Sequence, residues 1–217
     1  MQVTLIGTRH REVGNCNSQA LYEILLALNP EIIFEEMPLK DFDDYYVYKK
    51  RSKLESIAIL RYKQSKSVIQ VPIDLENIPE NEFLYAYETI YKTVYNLTDQ
   101  NGLDFRNLTK QFNQQTSQHG FEYLNSSHFS NACVQANEII ENALNTINSN
   151  VLFQALALWK KINAEREAQM VQSIYAYYEI SKFENAVFLI GAIHKKSIID
   201  EISKIEKKLK FNLIWNF

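Results

Sequence analysis

One local pattern occurs twice, near opposite ends of the chain. Leu5-Ile6-Gly7-Thr8-Arg9-His10 and Leu189-Ile190-Gly191-Ala192-Ile193-His194 each pass from apolar residues through a glycine and two further residues to a histidine. A short apolar run closed by glycine reads as a strand that turns sharply, which puts the histidine in the loop above the strand's carboxyl end. If both strands belong to one parallel sheet, both loops rise from the same edge, and a fold must be found that brings the two ends of the chain together.

The segments between them supply such a fold. After the strand at Val3 to Ile6, the stretch from Ser18 to Leu28 carries Leu21, Ile24, Leu25 and Leu28 at helical spacing, and Pro30 ends it. Ile32-Ile33-Phe34 is a second strand running into Glu35 and Glu36 and stopped by Pro38; a polar helix is expected from Lys40 to Gln64; Val68 to Ile73 reads as a third strand ending at Asp74. Strand signals vanish over residues 79–183, where polar and aromatic residues suggest successive helices, with turns at Asn101-Gly102 and His119-Gly120 and a cap at Ser126 or Ser127 for a helix through Cys133, Ile139, Ile140 and Leu144. Ala186 to Gly191 is the most strand-like segment, followed by a helix from about Lys195 to Lys208 and a last strand within Phe211 to Trp215. The expectation is an α/β fold: a mostly parallel central sheet flanked by helices, in one domain over residues 1–217, with residues 79–183 as a large helical insertion before the second histidine strand.

Composition narrows the functions. A chain of 217 residues, 46% of them hydrophobic, is long enough for one sizeable core. A net charge of -3 with acidic and basic residues interspersed argues against a nucleic-acid partner. Cys16 and Cys133 form no CxxC pair, so neither a disulfide framework nor a thiolate zinc site is indicated, and a reducing, cytoplasmic compartment is expected. Met1 to Gly7 reads as a strand, not a signal peptide, and apolar runs such as Val187 to Ile193 are far shorter than the ~20 residues of a membrane span.

Open α/β sheets bind ligands at the carboxyl edge of their strands, and this edge would receive His10, His194, Glu35, Glu36 and Asp74. Side chains alternate across a strand, so Glu35 and Glu36 should face opposite ways; Glu36 is favoured to join the histidines, with Glu35 in reserve. Arg166 lies on the same helical line as Ala155, Trp159, Ile162, Met170 and Tyr177. A guanidinium on an apolar stripe needs an acceptor, and Glu36 and Asp74 are the candidates. His119 beside Gly120 and His128 after a serine pair read as turn or helix-start residues, Cys16 as a small buried residue, and tyrosines such as Tyr45, Tyr46, Tyr48, Tyr175, Tyr177 and Tyr178 as core or groove lining.

These residues resemble the TraB, PrgY, GumN and Tiki superfamily, whose pattern is two Gly-x-x-His motifs bracketing the chain with a glutamate and an arginine between them. Gly7-Thr8-Arg9-His10 resembles the first motif, Pro30 to Glu36 the strand with its glutamate, Ala164 to Met170 the arginine helix, and Val187 to His194 the second motif. This alignment selects Glu36. The resemblance leaves residues 77–150 uncovered, and it departs at Met37-Pro38, where many members carry an aspartate, and at Lys195-Lys196-Ser197, where many have a small glycine-containing turn. Nor is there a carboxy-terminal membrane region like that of the pheromone-shutdown members.

What the resemblance implies is a metal-dependent hydrolase of peptide or ester bonds, similar to the Tiki peptidases, in which His10, Glu36 and His194 hold manganese or cobalt, or zinc. Glu35 or Asp74 would then accept a proton and Arg166 would orient a ligand or stabilise negative charge. Erythromycin esterases and a haem-binding lipoprotein look like more distant relatives. They imply two alternatives: a metal-independent esterase-like hydrolase with a histidine base, and a non-catalytic module that binds haem, a peptide or another small ligand.

Overall fold

The computed structural model describes residues 1–207 and 213–217. Five strands form one sheet: β1 (Gln2–Thr8), β2 (Ile32–Glu35), β3 (Ile69–Pro72), β4 (Asn185–Gly191) and β5 (Ile214–Asn216). Their order is β3-β2-β4-β1-β5 and every pairing is parallel, so the expected α/β class and parallel sheet are found. The two glycine-histidine strands, β1 and β4, are direct neighbours at the centre.

Period-two alternation explains both faces. On β4, Ala186, Phe188 and Ile190 join Val3, Leu5, Ile32 and Phe34 on one side, under Met170, Val171 and Ile174 of α7 (Asn150–Ile180) and Ile198 and Ile202 of α8 (Lys195–Glu206). Val187 and Leu189 join Ile6 and Ile33 on the other side, under Leu21 and Leu25 of α1 (Ser18–Leu28) and Leu54, Ala58 and Ile59 of α3 (Leu54–Tyr62). Both faces are covered, which is why these strands read as continuous apolar runs.

The four helices between β3 and β4 are α4 (Glu80–Tyr95), α5 (Gln100–Leu124), α6 (Ser127–Ile147) and α7. They have a core of their own around Val94, Phe105, Ala143 and Leu144, yet they also complete both layers on the sheet. Phe121, Leu124 and Phe129 pack on the α1/α3 side, while the far end of α7, a helix about 46 Å long at 1.5 Å per residue, packs on the other. Ser126 caps α6 by accepting from the Phe129 N–H, as expected.

Several boundaries differ from expectation. The single polar helix from Lys40 to Gln64 is instead a 3-10 turn (Leu39–Asp41), a short α2 (Phe42–Tyr46) and α3, with Lys49 between them at φ 53. Nor is α3 polar in effect, because it buries Leu54, Ala58, Ile59 and Tyr62. The expected turn at Asn101-Gly102 is the first turn of α5, capped by Asp99, which accepts from the Gly102 N–H. The last strand begins at Ile214, and Lys208, Phe211 and Asn212, which fell in the expected helix and strand, lie outside the described residues.

His119-Gly120 is a break inside α5. Gly120 adopts φ 55 and ψ -132, open to glycine alone, and a Cβ there would lie 2.7 Å from the Asn15 carbonyl oxygen. The kink thereby seats α5 against the loop that follows His10. Gly120→Ala is expected to lose about 1–3 kcal/mol from backbone strain, more if the loop is displaced, measured by urea unfolding.

Candidate functional site

At the carboxyl edge, the register of β1 on β4 pairs Gly7 with Ile190 and Thr8 with Gly191. The two similar motifs are therefore offset by one residue, and their histidines leave the sheet differently. Arg9 and His10 continue into an irregular loop, whereas Ala192–His194 coil into a 3-10 turn that leads directly into α8. His194 is buried at 7% exposure, while the His10 side chain is 55% exposed.

Glu35 and Glu36 separate as strand alternation requires. Glu35 turns toward α2, where it accepts from the Tyr46 hydroxyl and from Gln70 Nε2 at 3.0 Å. Burial raises its pKa above the ordinary 4.5, with Tyr46, Lys53 and Gln70 opposing only in part. Glu36 turns toward α7. Its Oε1 accepts from Arg166 Nη2 at 2.7 Å and its Oε2 from the Gly191 N–H at 2.6 Å. Gly191 eases this approach, since a Cβ there would lie 3.2 Å from Oε2 and push the carboxylate back slightly. Burial alone would push the Glu36 carboxyl up, but His194, Arg166, His10 and the Gly191 N–H outweigh it and hold the pKa at about 2.

Arg166 is the centre of this buried network. Besides Glu36, its Nη2 and Nε donate to Asp74, at 2.7 Å to Oδ2 and 3.1 Å to Oδ1, and its Nη1 donates to Asn163 Oδ1 at 3.3 Å. Both carboxylates proposed as its acceptors are thus its partners. His194 closes the network, with Nδ1 2.7 Å from Glu167 Oε1 and Nε2 3.6 Å from Glu36 Oε1.

His10 belongs to a second cluster. Its Nδ1 is 3.2 Å from Oε1 of Glu55, a 3% exposed carboxylate on α3 that also accepts from the Thr8 hydroxyl. The hydrogen bond to Glu55 raises the His10 pKa above 6.5 against the opposing effect of burial, and the same pairing lowers that of Glu55. Glu55 Oε2 is buried and has no hydrogen-bond partner among the described residues. A narrow crevice at this point, with no room for a water molecule between its walls, is lined by Thr8, His10, Glu35, Glu36, Lys53, Glu55, Leu189 and Ile190. Of the six residues proposed from sequence, His10, Glu35 and Glu36 line it; Arg166, Asp74 and His194 do not, and connect to Glu36 directly or through Arg166.

Four contributors were not foreseen. Glu55 and Lys53 fall in the supposed polar helix, where one carboxylate among many carries no signal. Glu167 sits beside Arg166 on a helix with other, exposed glutamates, and nothing in the sequence sets it apart. Asn125 serves as a surrogate strand, accepting from the Gly7 N–H at 2.7 Å and donating to the Gly7 carbonyl at 3.0 Å, and it also accepts from buried Lys195 at 2.8 Å. His119 and His128 line a separate cavity of about 560 Å³ between α5 and α6, and Cys16 is buried with its thiol pushed up to about 11 by desolvation.

No protein-family model matches this chain, and no curated protein does. Among solved structures it is similar to a mutant erythromycin esterase in its open conformation, with a TM-score of 0.38 and 13% identity over 88% of this chain. The match takes in 60% of that chain, less than two thirds of its length.

The donor types at this edge suit a divalent metal, and each imidazole has a carboxylate on Nδ1, as metal-binding histidines do. The arrangement does not fit one. Both Glu36 oxygens are already engaged, one by a guanidinium that would repel a cation at the same spot, and among the described residues no three His, Cys, Asp or Glu side chains converge as ligands.

Glu36→Gln is expected to destabilise the fold by about 3–5 kcal/mol, because it leaves Arg166 buried with half its countercharge, measurable by urea unfolding. With its folded pKa near 2 below an ordinary 4.5, the stabilisation by Glu36 is complete above pH 4.5 and is lost as pH falls toward 2. In an NMR titration, His10 should titrate above 6.5 in the native protein and fall in Glu55→Gln; an unchanged value would dissolve the pair.

Proposed function

We propose that the exposed His10 edge of this crevice hydrolyses a carboxylic ester or amide, with water as the nucleophile and His10 as the general base. The observation that carries this is the His10–Glu55 pair, a half-exposed imidazole fixed through Nδ1 to a buried, ionised carboxylate. Donating Nδ1–H to Glu55 leaves the lone pair on Nε2, which has no protein partner among the described residues. Glu55 orients the ring and stabilises the imidazolium once it has taken the water's proton. Thr8 fixes Glu55 in turn.

The remaining groups have supporting parts. Glu36 adds negative charge next to His10. Arg166, Asp74, Glu167 and His194 hold Glu36 and the β4 turn in place. Both Asp74 oxygens accept from Arg166, and Oδ1 accepts from the Leu75 N–H as well.

A panel of p-nitrophenyl esters and peptide anilides tests this. Turnover should survive EDTA, vanish in His10→Ala, and fall about 100-fold or more in Glu55→Ala, while kcat/KM rises with pH through an acid limb lying above 6.5. Turnover abolished by EDTA and restored by manganese or cobalt would transfer the reaction to a metal on His10, Glu36 and His194. A folded protein with no His10-dependent turnover on any member of the panel would leave a non-catalytic binding module.

A further inference from the structure

Hydrolysis by the route just proposed needs a donor where the carbonyl oxygen gains negative charge. Arg166 cannot fill that place: its Nε, Nη1 and Nη2 all donate to protein acceptors, and it lies outside the crevice lining. Lys195, buried on Asn125, lies outside it too. Apart from His10, the cationic side chain that lines the crevice is Lys53.

Lys53 is held as a functional cation would be. Its N–H donates to Ser56 Oγ at 3.0 Å and its carbonyl accepts from the Ser56 hydroxyl at 2.9 Å, which fixes its backbone at the start of α3. The next residue, Leu54, donates its N–H to the His10 carbonyl at 3.1 Å, so the loop bearing the base is tied to the turn bearing the ammonium. Lys53 Nζ lies 5.5 Å from the centre of the Tyr45 ring and donates to the Glu36 carbonyl at 3.3 Å. An ammonium has three donors. Lys53 makes no direct ion pair with a carboxylate among the described residues, although its charge acts on Glu35 and Glu55 across the crevice.

We propose that Lys53 is the oxyanion group of this site, donating an unused N–H to the carbonyl oxygen of an ester or amide. The proposal rests on the general-base reading above. As the water oxygen bonds to the carbonyl carbon, its proton passes to His10 Nε2 and the C=O π pair moves onto the oxygen held by Lys53. The pair then returns to re-form C=O, the bond to the leaving alkoxide or amine breaks, and that group takes the proton back from Nε2. The carboxylic acid so formed loses its remaining hydroxyl proton to solvent, and the carboxylate is left against Lys53. The site should therefore also hold a tetrahedral anion that mimics the intermediate.

Two measurements on folded variants, checked by circular dichroism and thermal unfolding, decide it. On a substrate turned over by the wild type, Lys53→Met should lower kcat about 100-fold with KM little changed, and Lys53→Arg should restore a substantial part. Benzylphosphonate, followed by NMR on the His10 ring, should bind the wild type and bind Lys53→Met roughly tenfold or more weakly. An unchanged kcat in Lys53→Met, or benzylphosphonate that fails to bind the wild type or binds both proteins alike, overturns the role of Lys53. Full activity in His10→Ala overturns the reading beneath it, whatever Lys53 does.

Discussion

A guanidinium buried among apolar side chains must be fully paired, and the sheet edge of this protein is organised around that demand. Arg166 reaches from α7 to Glu36 at the end of β2 and to Asp74 beyond β3, and Glu36 in turn grips the Gly191 amide at the end of β4. Three strands and one helix are thus held by one set of charge-assisted hydrogen bonds. Such a network contributes less to net stability than its contacts suggest, because desolvating the charges offsets much of their attraction. Its consequence is positional: any shift of β2 against β4, or of α7 against either, would leave a buried charge unpaired.

That constraint also explains why the helical segment is no mere appendage. The arginine lies midway along α7, between the separate core around Leu144 and the sheet layer containing Met170 and Ile174. Phe83, near the start of α4, lies 5.8 Å from its guanidinium. The second link is Asn125, which satisfies the Gly7 backbone where β5 pairs only as far as Thr4 and no longer covers the edge of β1. A single amide does there what another strand would have done.

How much of this was legible follows from the range of each interaction. The strands were plain because β1, β2 and β4 are buried on both faces, and their order of chemistry along the sheet edge followed from parallel pairing. Alternation alone separated Glu35 from Glu36, and the apolar stripe around Arg166 pointed to an acceptor. The stretch from Lys40 to Gln64 misled because its charges hid two breaks and the buried face of α3. Glu55 and Lys53 were lost with it: their significance comes from α3 lying beside the β1 loop, a long-range contact that leaves no periodic trace. Asn125 was beyond reach for the same reason, being 118 residues from its partner Gly7.

The two histidines show most clearly where sequence symmetry stops. As motifs they are interchangeable, and each ends with its Nδ1 on a glutamate, Glu55 for His10 and Glu167 for His194. A one-residue offset in the β1–β4 register and a 3-10 turn after Gly191 then send them to different environments. His194 is enclosed, its Nε2 directed at a carboxylate already held by arginine. His10 keeps its Nε2 unengaged on a ring open to solvent, with an ammonium tied into the adjoining turn. The same six-residue pattern therefore yields one histidine enclosed within the arginine network and one whose ring is open to solvent, and the difference lies wholly in what the fold packs around them.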